Sequence, residues 1–196
     1  VGCIINDYFD RNIDNKISRT SERPLAKGSV TIIEASIFMI ILLLISFLIL
    51  LQFNFQSIII TLLSIPLIII YPLMKRYTYW PQLFLGLVFS WGVWVVFSEF
   101  KQVVMIESIL LYIACIFWTL GYDTIYGFQD IEDDEIIGVK STSILFKNNS
   151  KMFLNIVFFL FVVFYLTMGF LMKFSLVFFV LSIIPISHLF LYQIKK

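Results

Sequence analysis

Six apolar runs, each close to the length of one membrane crossing, constrain this 196-residue chain more than any other feature. They fall at about 30–52, 57–73, 81–98, 105–127, 150–171 and 174–194. A helix of ~20 apolar residues crosses a hydrocarbon layer of ~30 Å with its backbone polar groups bonded internally. Residues 1–14 read as the end of a further helix. The predicted fold class is all-α, a polytopic transmembrane helical bundle with six full spans and one partial span. Breaks at Phe53–Gln56 and around Lys173 suit tight hairpins, and Pro66 and Pro185 are predicted to kink their spans. Only 14% of residues are charged, against roughly 25% in soluble domains, so a bilayer is the natural solvent. The chain opens inside an apolar run, as Val-Gly-Cys-Ile-Ile. It reads as one membrane-embedded domain, 1–196, with helical sequence missing.

Charge then sets sidedness. The net charge of +1 gives no reason to expect a nucleic-acid partner. Twelve basic residues (Arg11, Lys16, Arg19, Arg23, Lys27, Lys75, Arg76, Lys140, Lys147, Lys151, Lys195 and Lys196) fall on one side of the six-span topology, and only Lys101 and Lys173 on the other. This bias places the loops at 15–29, 74–80 and 128–149 in the cytoplasm. Ten of the thirteen acids occupy two short stretches at that same face. Cys3 and Cys115 have neither disulfide nor zinc spacing and read as small apolar residues, and His188 reads as structural.

The first acidic stretch is Asn6-Asp7-Tyr8-Phe9-Asp10-Arg11-Asn12-Ile13-Asp14. Asp7, Asp10 and Asp14 share one stripe of a helix. Three carboxylates held together at a bilayer face need a cation, and hard oxygen ligands suit magnesium shared with a substrate phosphate. Arg19 and Arg23, in the loop running to Gly28, are candidates for charge-assisted bonds to a diphosphate. In the second stretch Asp123, Asp130 and Asp134 fall on one stripe if the helix continues through Gly127. Asp123 and Tyr126 lie deep enough to count as intramembrane polar groups, which mark function. Lys75, Arg76 and Lys140 reach the same face, where membrane anchoring is an equal reading for each.

These two stretches resemble the paired aspartate signatures of the UbiA superfamily of intramembrane prenyltransferases. The first matches N-D-x-x-D-x-x-x-D at Asn6, Asp7, Asp10 and Asp14, followed by R-T-x-x-R-P-L-x-x-G from Arg19 to Gly28. The second matches Y-D-x-x-Y-x-x-x-D-x-x-x-D at Tyr122, Asp123, Tyr126, Asp130 and Asp134. Ser90 and Gly127 stand where the family often has Asn and Ala. The resemblance implies a nine-span fold, of which the first helix, part of the second and the last are not represented here. It implies two Mg2+ ions held by Asp7, Asp10, Asp14, Asp123, Asp130 and Asp134, with Asp7, Asp10, Asp130 and Asp134 catalytic. It further implies a pocket of Asn6, Arg19, Arg23, Lys75 and Tyr126 around an allylic polyprenyl diphosphate, with Lys140 an additional candidate substrate contact. The stretches Asn6–Gly28, Tyr71–Gln82 and Asp123–Thr142 are most similar to family members that prenylate 4-hydroxybenzoate ortho to its phenol in ubiquinone biosynthesis. Arg76 is then the candidate for the acceptor carboxylate.

Two other readings compete. Another acceptor within the family is opposed by the Lys75–Gln82 segment. A cation transporter is opposed by acids that hug one face beside Arg and Lys instead of sitting at the midplane. The expected location is the bacterial inner membrane, with the mitochondrial inner membrane as alternative, and membrane lipid is the expected surrounding partner.

Overall fold

The computed structural model describes residues 1–15, 20–101 and 105–194. A helix α1 (Gly2–Asp14) is followed by six helices long and apolar enough to cross a membrane. These are α2 (Ile32–Leu50), α3 (Phe55–Tyr77), α4 (Pro81–Phe100), α5 (Ile106–Ile137), α6 (Ser150–Leu171) and α7 (Leu176–Gln193). Their order and positions agree with the six apolar runs, and among the described residues there is no β-strand.

Local chemistry sets the ends. Thr31 and Glu34 form a reciprocal capping box at the start of α2: Thr31 Oγ1 accepts from Glu34 N at 3.2 Å and Glu34 Oε2 accepts from Thr31 N at 2.8 Å. Asn54 caps α3 through Ser57 N at 2.9 Å. Lys173, with φ of 54°, turns the chain between α6 and α7. The expected kinks take specific forms. In α3, Pro66 lies just after a break at Ser64. In α7, Pro185 is followed by a π-helical turn over Leu189–Gln193, the local adjustment that restores bonding near a proline.

In a bilayer no hydrophobic drive joins one helix to the next, so association relies on close packing and polar contacts. The tightest pair is α5 against α6. Gly121 of α5 lies under the ring of fully buried Phe158, and a Cβ there would run into that ring. Leu120, Phe153, Leu154, Val157 and Leu189 complete this core, with Phe146 stacked on Phe153 at 3.9 Å. At the far end of the bundle, Glu99 Oε2 accepts from Asn54 N at 2.9 Å, tying α4 to α3. The α2 helix buries none of its residues, as a lipid-facing helix should.

Candidate functional site: a charged cavity at one end of the bundle

Three loop regions meet at the end of the bundle where α1, α3 and α5 finish. They enclose a cavity of about 210 Å3. Its wall includes Asn6, Asp10 and Asp14 from α1, Arg23 from the following loop, and Lys75 from the end of α3. Asp123, Tyr126, Asp130 and Asp134 come from α5, and Lys140 from the loop beyond it. Both acidic stretches therefore face one chamber although more than a hundred residues separate them. Asp7 and Arg76 are not part of the wall, and Arg19 lies outside the described residues.

The second stripe is built differently from a single continuous helix. The α-helical part runs from Ile106 to Gly127, then tightens into a 3-10 turn over Phe128–Asp130 and resumes over Ile131–Ile137. Gly127 keeps helical dihedrals (φ −67°, ψ −14°), so the extra winding falls just after it. Asp123, Asp130 and Asp134 still reach the same cavity.

The acids of the first stretch are engaged by basic residues that arrive from elsewhere in the chain. Arg23 Nη1 donates to Asp7 Oδ1 at 2.9 Å and to Asp14 Oδ2 at 3.2 Å. Lys75 Nζ is paired with Asp10 Oδ2, whose side chain is 1% exposed. Arg76 donates to the Phe9 carbonyl at 2.7 Å and stands 3.9 Å from Asp10 Oδ1. Arg76 thus braces the outside of α1. Burial pushes the Asp14 carboxyl above the usual carboxylate range, while Arg23 pulls it back.

A buried polar lattice fixes the loop that carries Lys140. Lys140 N donates to Lys75 O at 2.8 Å. Thr142 N donates to Gln82 Oε1 at 3.0 Å, and Thr142 and Thr124 share a hydroxyl hydrogen bond of 2.6 Å. Ser143 Oγ donates to Thr124 O at 2.8 Å. A Cβ on Gly127 would collide with Ser143 Oγ, so Gly127 lets this loop seat against α5. Gly138, at φ 80°, ends α5 and turns the chain into the loop.

The sequence reading missed several wall residues: Thr20, Tyr71, Gln82 and Ser141. Gln82 carried a signal, as a lone amide at the start of an apolar run. Tyr71 and Ser141 carried none beyond their place in the Tyr71–Gln82 and Asp123–Thr142 segments.

Among the described residues no three His, Cys, Asp or Glu side chains form a ready-made metal cluster. The donor chemistry nonetheless fits a hard divalent cation. Five carboxylates line one chamber, and Asp10 Oδ1 is buried without a hydrogen bond, an oxygen that a cation would satisfy.

A second, largely apolar cavity of about 600 Å3 adjoins the first, sharing Asp123 and Tyr126 with it. Trp118, Phe158 and Leu189 line it, as does His188, whose ring stacks on Tyr192.

Fold and site define an all-α membrane protein with a charged chamber opening at one bilayer face and an apolar chamber beside it. The chain belongs to the UbiA prenyltransferase family, whose profile matches residues 1–196. It is 40% identical over 192 residues to a 4-hydroxybenzoate octaprenyltransferase of Haemophilus ducreyi, covering 98% of this chain and 69% of that protein. It is 48% identical over 155 residues to a mitochondrial 4-hydroxybenzoate polyprenyltransferase of Aedes aegypti, covering 79% of this chain and 35% of the relative. Among solved structures, an apo UbiA homolog from Aeropyrum pernix K1 superposes with a TM-score of 0.84 at 24% identity, covering 98% of this chain and 73% of that one. A UbiA homolog from Archaeoglobus fulgidus, solved bound to GPP and Mg2+, superposes with a TM-score of 0.75 at 21% identity, covering 98% and 69%.

Proposed function

We propose that this chain, as one membrane-embedded domain, carries the active site of an enzyme that moves a polyprenyl group from its allylic diphosphate to the ring of 4-hydroxybenzoate, ortho to the phenol. The observation that carries this reading is the convergence of both aspartate motifs, with Arg23, Lys75 and Lys140, on one cavity at the mouth of an apolar one. The names of the relatives from Haemophilus ducreyi and Aedes aegypti support the acceptor. The GPP and Mg2+ bound to the Archaeoglobus fulgidus homolog support the donor and the metal.

The charged chamber takes the diphosphate. Arg23, Lys75 and Lys140 neutralise its oxygens, with Arg19 as a further donor and Asn6 and Tyr126 as polar contacts. Asp10, Asp14, Asp123, Asp130 and Asp134 hold two magnesium ions, with Asp7 acting through Arg23. Bound Mg2+ neutralises charge that develops on the departing diphosphate. The apolar chamber takes the first isoprene units and keeps water from the reacting allylic carbon. Its lining includes the aromatic rings of Trp118 and Phe158, a residue type that stabilises developing positive charge. The ring carbon ortho to the phenol attacks that carbon, the carbon–oxygen bond to diphosphate breaks, and the ring proton leaves. Arg76 remains a candidate for the acceptor carboxylate, provided it releases the Phe9 carbonyl. We assign the charged chamber to the cytoplasmic side of a bacterial inner membrane, a reading supported by the basic bias of the loops, with the mitochondrial inner membrane as the alternative.

Membranes carrying the chain, given geranyl diphosphate, Mg2+ and 4-hydroxybenzoate, test the assignment by mass spectrometry. The expected product is geranylated 4-hydroxybenzoate. Geranyl transfer to a different added acceptor, with none to 4-hydroxybenzoate, would overturn the acceptor.

A further inference from the structure

Gln82 is the second residue of α4, 7% exposed, and part of the charged cavity's wall. Its one hydrogen bond among the described residues is accepted, from the buried Thr142 N at 3.0 Å. A backbone N–H can only donate, so the corner of the amide facing Thr142 must be the oxygen. That requirement fixes the side chain's orientation by chemistry and sends Nε2, with its two protons, the other way. On that side lies Gly127, also a wall residue, where a Cβ would stand 3.7 Å from Nε2. Nε2 donates to no acceptor among the described residues and is not shut off from the cavity, so this amide is poised for an acceptor that enters there.

The identity of that acceptor follows from what the amide has left to offer. Its oxygen is turned toward Thr142 N, so the group that the amide presents to the cavity is its NH2, a donor that does not ligate a cation. An NH2 group seeks oxygen lone pairs, and Arg23, Lys75 and Lys140 in the same wall select an anion. A phosphate oxygen satisfies both conditions.

We propose that Gln82 is a substrate-binding residue with two roles: its Oε1 holds the Lys140–Thr142 loop and its Nε2 donates to a phosphate oxygen of the prenyl diphosphate. This rests on the proposed donor substrate. The loop and the ligand are thereby coupled through one side chain. The Thr142 N–H orients the amide, and the amide sets how deeply the diphosphate seats beside Lys140.

The two roles separate by substitution. Gln82→Glu keeps an oxygen for Thr142 N and removes the donor, whereas Gln82→Met removes both. The probe is geranyl S-thiodiphosphate, a slowly reacting donor analogue, with Mg2+, titrated onto the full chain in lipid nanodiscs. Limited proteolysis of the 138–141 segment reports on the loop. Both variants are expected to bind the analogue about tenfold more weakly or worse. Only Gln82→Met is expected to speed cleavage of the loop. In turnover, KM for the diphosphate should rise in Gln82→Glu while KM for 4-hydroxybenzoate stays. Wild-type affinity in Gln82→Glu would overturn the ligand role and leave only the structural one. An unmodified chain that binds the analogue yet prenylates no 4-hydroxybenzoate would sink the acceptor assignment while leaving the binding comparison decisive for Gln82. An unmodified chain that binds no analogue would overturn the inference.

Discussion

Asp10 and Lys75 form the innermost ion pair of the charged cavity, and its surroundings decide what each partner does. The Asp10 side chain is 1% exposed, and only one of its oxygens has a hydrogen-bonded partner. Removing one member of a buried pair leaves an uncompensated charge, which typically costs about 3–5 kcal/mol. Lys75→Met is therefore expected to lower thermal stability by roughly 3 kcal/mol in EDTA, with part of the loss recovered on adding Mg2+, read by a detergent-phase melting curve. Recovery tests whether a cation can replace the ammonium at Asp10. A buried Ser90 Oγ with no partner lies at the break within α4. Because an unsatisfied buried hydroxyl contributes nothing favourable, Ser90→Ala is expected to be neutral or stabilising by up to about 1 kcal/mol.

At the scale of elements, two contacts control how the site is framed. The first is the close approach of α5 and α6 at Gly121, beneath Phe158. Gly121→Val is expected to force the helices apart and cost about 1–3 kcal/mol, as overpacking does, with a parallel fall in activity because Asp123 lies half a turn away. A melting curve and a turnover assay on the same preparation check both. The second is the Thr124–Thr142–Ser143 lattice under the Lys140 loop. Thr142→Val removes the bond between the two hydroxyls and leaves Thr124 with only its donation to Leu120 O; it is expected to cost about 1–2 kcal/mol, while adding Thr124→Val should cost less than the sum of the single changes. Melting curves of the two single variants and the double variant measure that coupling. Additive losses would mean that the two hydroxyls do not share the bond. The positive φ of Gly138 makes a third, separate test possible: Gly138→Ala should cost about 1–2 kcal/mol through backbone strain alone.

Across the whole molecule, the membrane-crossing helices are readable in sequence because hydrocarbon solvent demands the same thing of each: ~20 apolar residues and a closed backbone ladder. The extension of α5 to Ile137 was not, since five of its last ten residues are acids and hydropathy reports solvent preference, not backbone conformation. The aspartates announced themselves because charge at a bilayer face has few uses. Their partners did not. The sequence brought Lys75 to the same face as Asp10, but the pairing of the two across 65 residues is set by the fold and not by any local pattern. Asp7 shares the predicted stripe but turns to Arg23 and leaves the cavity wall. Gln82 and Thr142 meet across 60 residues through one hydrogen bond from the Thr142 backbone N to the Gln82 side-chain oxygen, a pairing that no local pattern encodes.

The central claim is that the two aspartate motifs build one diphosphate site. Binding of geranyl S-thiodiphosphate to the chain in nanodiscs, with and without Mg2+, tests it in the unmodified protein, in Asp10→Asn and in Asp130→Asn. The account predicts that neutralising either motif alone abolishes the magnesium-dependent part of binding. Full magnesium-dependent affinity surviving the loss of one motif would contradict a single shared site.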